Sequence, residues 1–354
     1  GNAFADYAFV PNVLRDVSSV DPSTTLLGQK ISIPLVLSPT GASEVFHHAG
    51  ERAVARAAAR SGVPYALSCM STTTLEDVAA VGEGPRIFQL YIFRDRELNR
   101  ELLQRAKAAN YGVLWVTVDT AVHGNRERDL LTGFAVPPQL TLRSWLNFAL
   151  HPGWSLSALR HCRFRLANID ARDAPGSPAH RVAQLFTPAA SWKDLEWIIG
   201  EWGGPVAVKG LTSPKDAREA AAVGARAVVI SNHGGRQLDH VIAPIRQLPR
   251  IRDAVGSALE LIVDGGVRRG SDVLKAIALG ADACAVGRPY LYGLAAAGEA
   301  GVARAIEIFR SEILRNMALL GCRDLAAVRR EHVVRTDGTD CDLAPPMPRS
   351  AVAE

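Results

Sequence analysis

The chain has 354 residues, 48% hydrophobic and 21% charged, with a formal net charge of +4. That supports a sizeable core and excludes a disordered polypeptide, while no window approaches the ~18 consecutive apolar residues of a membrane span. The 40 basic residues are nearly cancelled by 36 acids and form no block of five or more, so no nucleic-acid partner is expected.

The chain opens at Gly1 with neither Met nor a basic-then-apolar leader, so no signal peptide is expected and it reads as a fragment. Ile33–Ser38 is the first strand-like apolar run, followed by an alanine-rich helix over Gly50–Ser61 that stops at Gly62. Strands are predicted at Tyr65–Ser68, Arg86–Leu90 and Val113–Val118, with a helix over Asp95–Asn110. About seventy residues then carry no clear strand–helix unit, a length that marks a lid, a binding loop or a disordered segment. Its middle, Asp170–His180, is polar, contains Pro175, Gly176 and Pro178, and is expected to be flexible. The rhythm resumes with a strand at Pro205–Lys209 and a helix over Ser213–Val223, where Ser213 is the N-cap and Pro214 the first helical residue. Strands Ala227–Ser231, Leu259–Val263 and Ala281–Val286 follow, with a helix over Ser271–Leu279 and a long one over Ala300–Leu320.

Strands this apolar on both faces belong in a parallel sheet covered by helices. Eight strand–helix units are what a closed (β/α)₈ TIM barrel needs. A doubly wound open sheet is the alternative, but no G-x-G-x-x-G follows the first strand. The expected organisation is α/β, with one barrel domain over residues 1–335, a long loop after strand 4 at about 120–190, and a disordered tail at 336–354. Cys69, Cys162, Cys284, Cys322 and Cys341 are scattered without a C-x-x-C pair, which disfavours disulfides and structural zinc and suits a reducing, cytoplasmic compartment.

Barrel chemistry sits at the C-terminal ends of the strands. There the sequence places Pro39, Thr40, Ser68, Gln89, Tyr91, Thr117, Asp119, Lys209, Ser231, His233, Asp264, Gly287 and Arg288. One such residue is most simply a satisfied loop polar group; a polar group at nearly every strand end points to a cleft. Lys209 ends an otherwise apolar strand, either snorkelling to water or facing negative charge on a ligand. In Ser231-Asn232-His233-Gly234-Gly235-Arg236, a histidine and an arginine flank a Gly-Gly turn. That arrangement suits acid–base work on a substrate whose carboxylate the arginine holds. Arg126, in the loop after strand 4, is a candidate second anchor. Asp119 either orients His233 or pairs with an arginine elsewhere. Asp264, Gly265 and Arg268 after strand 7, with Gly287 and Arg288 after strand 8, form the pattern of a barrel phosphate site.

The stretches SNHGGRQLD, DGGVRRGSDVLKAIALGA, FQLY and TVD resemble the FMN-dependent L-2-hydroxy acid dehydrogenases and oxidases: flavin-type lactate dehydrogenase, mandelate dehydrogenase and glycolate oxidase. The resemblance runs from about Asn2 to His332 and implies FMN at the barrel mouth. It assigns His233 as base, Asp119 as its partner and Tyr91 as a hydrogen bond to the reacting oxygen. Arg126 and Arg236 are then the carboxylate anchors, and Met70 stands over the substrate or merely packs. Pro39, Thr40, Gly41, Ser68, Gln89 and Thr117 are expected at the flavin ring, with Lys209 and Ser231 at its charged edge. Asp264, Gly265, Arg268, Gly287 and Arg288 are expected at the phosphate. Members of that family carry an upstream segment, including a substrate-contacting tyrosine, which this chain lacks; weak turnover is expected on that account.

The reaction so implied is oxidation of an (S)-2-hydroxy acid, lactate- or mandelate-like, to the 2-oxo acid. Gly41 resembles the dehydrogenase members, which implies a quinone or electron-carrier acceptor rather than O₂. An oxidase producing H₂O₂, a non-catalytic flavin-binding barrel and a flavin-free phosphosugar enzyme are the competing readings. Leu142–Leu159 carries Trp145, Phe148 and Trp154, followed by Arg160, Arg163 and Arg165. This is either an interfacial segment giving peripheral contact with the inner membrane face, or a lid packed on the barrel. A homo-oligomer, tetramer or larger, is implied by resemblance alone.

Overall fold

Mostly apolar runs of three to six residues, buried at nearly every position, form the barrel strands of the computed structural model, which describes residues 2–122, 124–125, 127, 141–161, 165–169 and 184–337. In chain order all the strands are β1 (Tyr7–Phe9), β2 (Thr24–Leu26), β3 (Gln29–Ile31), β4 (Leu35–Leu37), β5 (Tyr65–Ser68), β6 (Arg86–Tyr91), β7 (Val113–Thr117), β8 (Val206–Leu211), β9 (Ala227–Ser231), β10 (Glu260–Asp264), β11 (Ala283–Val286) and β12 (Val333–Arg335). Strands β4 through β11 pair in parallel, each with the next, and β11 closes back onto β4. This is the expected eight-stranded barrel.

Side-chain parity sorts the core into two layers. Leu35, Leu37, Leu67, Phe88, Leu90, Leu114, Val116, Val206, Val208, Val228, Ile230, Leu261 and Val263 face outward into the layer shared with the helices. Val36, Ala66, Ile87, Val113, Trp115, Ala207, Ala227, Val229, Ile262, Ala283 and Ala285 fill the interior. The interior alanines leave room for Trp115, which is fully buried. The antiparallel hairpin β2–β3 plugs the N-terminal end, with Leu26, Leu27 and Ile31 joining the interior layer. The Glu260 carboxylate accepts the Leu27 N–H at 2.8 Å and seals that end. The mouth is therefore at the C-terminal ends of the strands, where the same parity points Ser68, Gln89, Thr117, Lys209, Ser231 and Asp264 inward.

The helix over Gly50–Ser61 buries Ala53, Val54, Ala57 and Ala58 and ends at Gly62 with φ +62°, as its pattern predicts. Other elements differ from expectation. The first barrel strand is shorter than Ile33–Ser38, and the small sheet that pairs β1 with β12 and the β2–β3 hairpin were not expected. Their three-residue strands are too short to show a period. The long helix starts at Arg288 and breaks at Ala297 and Gly298, where φ and ψ leave the helical region; the expected Ala300–Leu320 is the part beyond the break. There the backbones of Gly293 and Gly301 meet so closely that neither has room for a Cβ. The loop after β7 contains two helices, Leu142–Leu150 and Pro152–His161; Asp170–His180 lies outside the described residues. The start of the expected tail is tied down, since the Thr336 N–H donates to the Asp6 carbonyl at 2.9 Å; residues 338–354 lie outside the described residues. Cys69, Cys284 and Cys322 are buried free thiols, and Cys162 and Cys341 are not described. Among the described residues, no helix is long and apolar enough to cross a membrane.

Candidate active site

A buried charge pair forms the floor of the mouth. Lys209 ends the inward-facing row of β8, 4% exposed, with Nζ 3.0 Å from Asp264 Oδ2 and 3.2 Å from Ser231 Oγ. Ser231 Oγ donates to Asp264 Oδ2 at 2.8 Å, and Ser38 Oγ donates to Oδ1 at 2.7 Å. Burial pushes the Asp264 carboxyl up. The Lys209 ammonium and the hydrogen bonds from Ser38, Lys209 and Ser231 outweigh that, holding it below the usual carboxylate range.

On the opposite arc, Ser68 Oγ donates to Gln89 Oε1 at 2.9 Å and Gln89 Nε2 donates to Thr117 Oγ1 at 3.0 Å. This neutral chain crosses β5, β6 and β7, and all three groups are buried. The Met70 N–H donates to Ser68 Oγ at 3.1 Å, and a Cβ on Gly41 would lie 3.1 Å from the Met70 carbonyl, so the loops after β4 and β5 meet there. Tyr290 hydroxyl donates to the Ser38 carbonyl at 2.8 Å and lies 2.6 Å from Thr40 Oγ1, which fixes the Ser38–Thr40 turn.

His233 follows β9 with φ +54°, a conformation uncommon outside glycine. Its N–H donates to Ser231 Oγ at 3.0 Å, linking it to the charged floor. Its Nδ1 lies 2.9 Å from Asp119 Oδ1. An ionised carboxylate only accepts, so Nδ1 donates this hydrogen bond and Nε2 is the ring nitrogen not engaged with Asp119. Gln237 Nε2 donates to the carbonyls of Asp119 at 2.8 Å and Val122 at 3.0 Å, and Gln237 Oε1 accepts the Gly124 N–H at 3.2 Å. That amide pins the loop bearing Asp119 onto the loop bearing His233.

The sequence-predicted residues collect at this end, with differences in exposure. Arg236 is exposed on the loop after His233. Tyr91 ends β6 with its ring edge-on to Phe186, centroids 5.2 Å apart. Arg288 Nη2 donates to the Gly234 carbonyl at 3.0 Å. Gly265 has φ +125°, and a Cβ there would lie 3.0 Å from Asn232 Oδ1. The N–H groups of Arg268 and Arg269 donate to Asp272 Oδ2 at 2.8 and 3.0 Å, capping the helix over Gly270–Ala278. Arg126 lies outside the described residues. Ser38, Tyr290 and Gln237 were not singled out by sequence reasoning. Gln237 had a signal, since it lies within the SNHGGRQLD stretch; Tyr290 had none beyond its place after Gly287.

The arrangement offers a histidine held by a carboxylate, a buried cation, neutral hydrogen-bonding groups around one arc and arginines at the rim. The family described as "FMN-dependent dehydrogenase" matches residues 1–335. The L-lactate dehydrogenase of Caulobacter vibrioides (strain NA1000 / CB15N) is 44% identical over 330 residues, covering 92% of this chain and 86% of its own. Glycolate oxidase 1 of Zea mays is 41% identical over 332 residues, covering 94% and 85%. The crystal structure of the monotopic membrane protein (S)-mandelate dehydrogenase superposes with a TM-score of 0.90 at 37% identity, covering 94% of this chain and 89% of that one.

Proposed function

Because the chain belongs to the FMN-dependent dehydrogenase family, we propose that it oxidises an (S)-2-hydroxy acid, lactate- or mandelate-like, to the 2-oxo acid and passes the electrons to a quinone or a protein carrier. The observation that carries this reading is the 2.9 Å contact between His233 Nδ1 and Asp119 Oδ1, at the same mouth as the buried Lys209. Residues 1–335 act in it as one barrel unit.

The donor set fits FMN. The Ser68–Gln89–Thr117 chain supplies neutral donors and acceptors of the kind a flavin ring edge needs. Lys209 would supply a cation to offset the negative charge of a reduced flavin, and Asp264 and Ser231 hold that cation in place. Pro39, Thr40 and Gly41 form the turn beside Met70. Gly265, Arg268, Gly287 and Arg288 follow the last two barrel strands, the usual place of a barrel phosphate site. When bound, FMN supplies the two-electron acceptor that no side chain can provide.

The chain's own residues do the rest. Arg236 and Arg126 hold the substrate carboxylate in bidentate fashion, which fixes C2 over the mouth. The Tyr91 hydroxyl hydrogen-bonds the reacting oxygen. His233 Nε2 takes a proton, from the hydroxyl or from C2, and Asp119 stabilises the imidazolium that results.

Relatives named as dehydrogenase and as oxidase match almost equally well, so use of O₂ is the second reading. After anaerobic reduction by L-lactate or (S)-mandelate, the expected result is fast reoxidation by a soluble quinone and slow reoxidation by air. Rapid reoxidation by air with stoichiometric peroxide contradicts the acceptor assigned here.

Peripheral membrane contact belongs to the same proposal. The two helices after β7 expose Leu142, Trp145, Leu146, Leu150, Trp154, Leu156 and Leu159. A lid packed on the barrel would bury these side chains, whereas an interfacial segment presents them. The protein is expected to co-sediment with vesicles containing anionic phospholipid and to lose that binding in Trp145→Glu. Equal sedimentation of the two proteins contradicts the assignment.

A further inference from the structure

The geometry points to Gly210 as a positioning residue for the His233–Asp119 pair, an inference that rests on the proposed base role of His233. Gly210 lies in β8 directly after Lys209. In the ladder with β9, Lys209 pairs with Val229 and Leu211 with Ile230, so Gly210 is the extra residue of a β-bulge. Its φ is +106°, which favours glycine.

The bulge faces the carboxylate of the pair. A Cβ at Gly210 would lie 2.6 Å from Asp119 Cγ, 2.7 Å from its Cβ and 2.9 Å from Oδ2. The other sides of Asp119 are fixed. The Val118 N–H donates to the Lys209 carbonyl at 3.0 Å, and the Asp119 carbonyl accepts from Gln237. Oδ1 goes to His233, while Oδ2 is buried with no hydrogen-bond partner among the described residues. A carboxylate held this way has no slack on the Gly210 side: a methyl group there must push Asp119 out of line with Nδ1. One glycine thus leaves the space in which Asp119 orients the imidazole. Gly210 touches no reacting atom, so its effect passes through Asp119.

The test is a double-mutant cycle of Gly210→Ala with Asp119→Gly, which removes the three atoms nearest to the new methyl. Two readouts are taken on the full chain with FMN at fixed concentration. In urea unfolding, Gly210→Ala is expected to lower the midpoint more in the native background than beside Asp119→Gly, where the cost of a side chain at φ +106° remains. In turnover of the 2-hydroxy acid, Gly210→Ala is expected to lower kcat by about 100-fold, with KM changed by less than about threefold. Beside Asp119→Gly it is expected to cause no further loss. Equal midpoint losses in both backgrounds, or native kcat in Gly210→Ala, overturn the proposal. If Gly210→Ala alone fails to fold, a folded double variant supports the inference and an unfolded one overturns it. If the native protein oxidises no 2-hydroxy acid, the functional reading fails, while the unfolding cycle still decides whether Gly210 seats Asp119.

Discussion

His233→Asn is expected to slow flavin reduction by a 2-hydroxy acid by about 10²–10⁴-fold, the usual contribution of a positioned base. The substitution isolates the chemistry. Asparagine tolerates positive φ better than most residues, so the +54° backbone at this position is kept. The amide can still donate to Asp119 but has no basic nitrogen to take the substrate proton. FMN binding is expected to persist, because the floor of Lys209, Asp264 and Ser231 is built from β8, β9 and β10 and touches His233 only through its main-chain N–H. Stopped-flow reduction under anaerobic conditions, beside the flavin spectrum of the same sample, separates the two effects. A reduction rate within about tenfold of the native one removes His233 from its role.

Lys209→Met is expected to destabilise the protein by about 3–5 kcal/mol, because it leaves Asp264 buried with only two serine hydroxyls for company. The cost comes from the unpaired charge rather than from lost attraction, so Lys209→Met with Asp264→Asn is expected to recover most of it. Urea unfolding at fixed FMN concentration measures both variants. Equal destabilisation in the single and double variants contradicts the account. The pair also sets an acid limit. Asp264 is held below its usual 3.8, so its stabilising contribution is complete above that pH and is lost as pH falls through the lowered folded value. Lys209→Met removes the main influence opposing burial, so acid unfolding should begin at higher pH than in the native protein.

Much of the barrel was legible because one period governs it. Apolar strands bounded by alanine-rich helices announce a covered parallel sheet, and a polar residue closes nearly every strand. Sequence reasoning singled out Ser68, Gln89, Thr117, Lys209, Ser231 and Asp264 for lying at predicted strand ends; their shared inward face emerges only from the fold. What remained hidden has no such period. The hairpin that plugs the barrel rests on Leu26, Leu27 and Ile31, three apolar residues in a segment too short to alternate visibly. Gly210 reads in sequence as one glycine after a strand; its meaning lies in how close Asp119 comes, a contact across 91 positions.

The charge balance changes meaning in the same way. Lys209, Arg236, Arg268 and Arg288 all belong to the C-terminal end of the barrel, but they are not equivalent cations. Lys209 is paired with Asp264, and Arg288 is engaged with the Gly234 carbonyl. The mouth is therefore held by contacts within the chain itself, which suits the positioning of a reduced cofactor and a carboxylate substrate.

Anaerobic titration of the FMN-loaded protein with each enantiomer of lactate and mandelate tests the central claim most directly. The account predicts that L-lactate or (S)-mandelate bleaches the visible flavin band, with one 2-oxo acid formed per flavin, and that the opposite enantiomers do not. A yellow protein that none of these acids bleaches contradicts it.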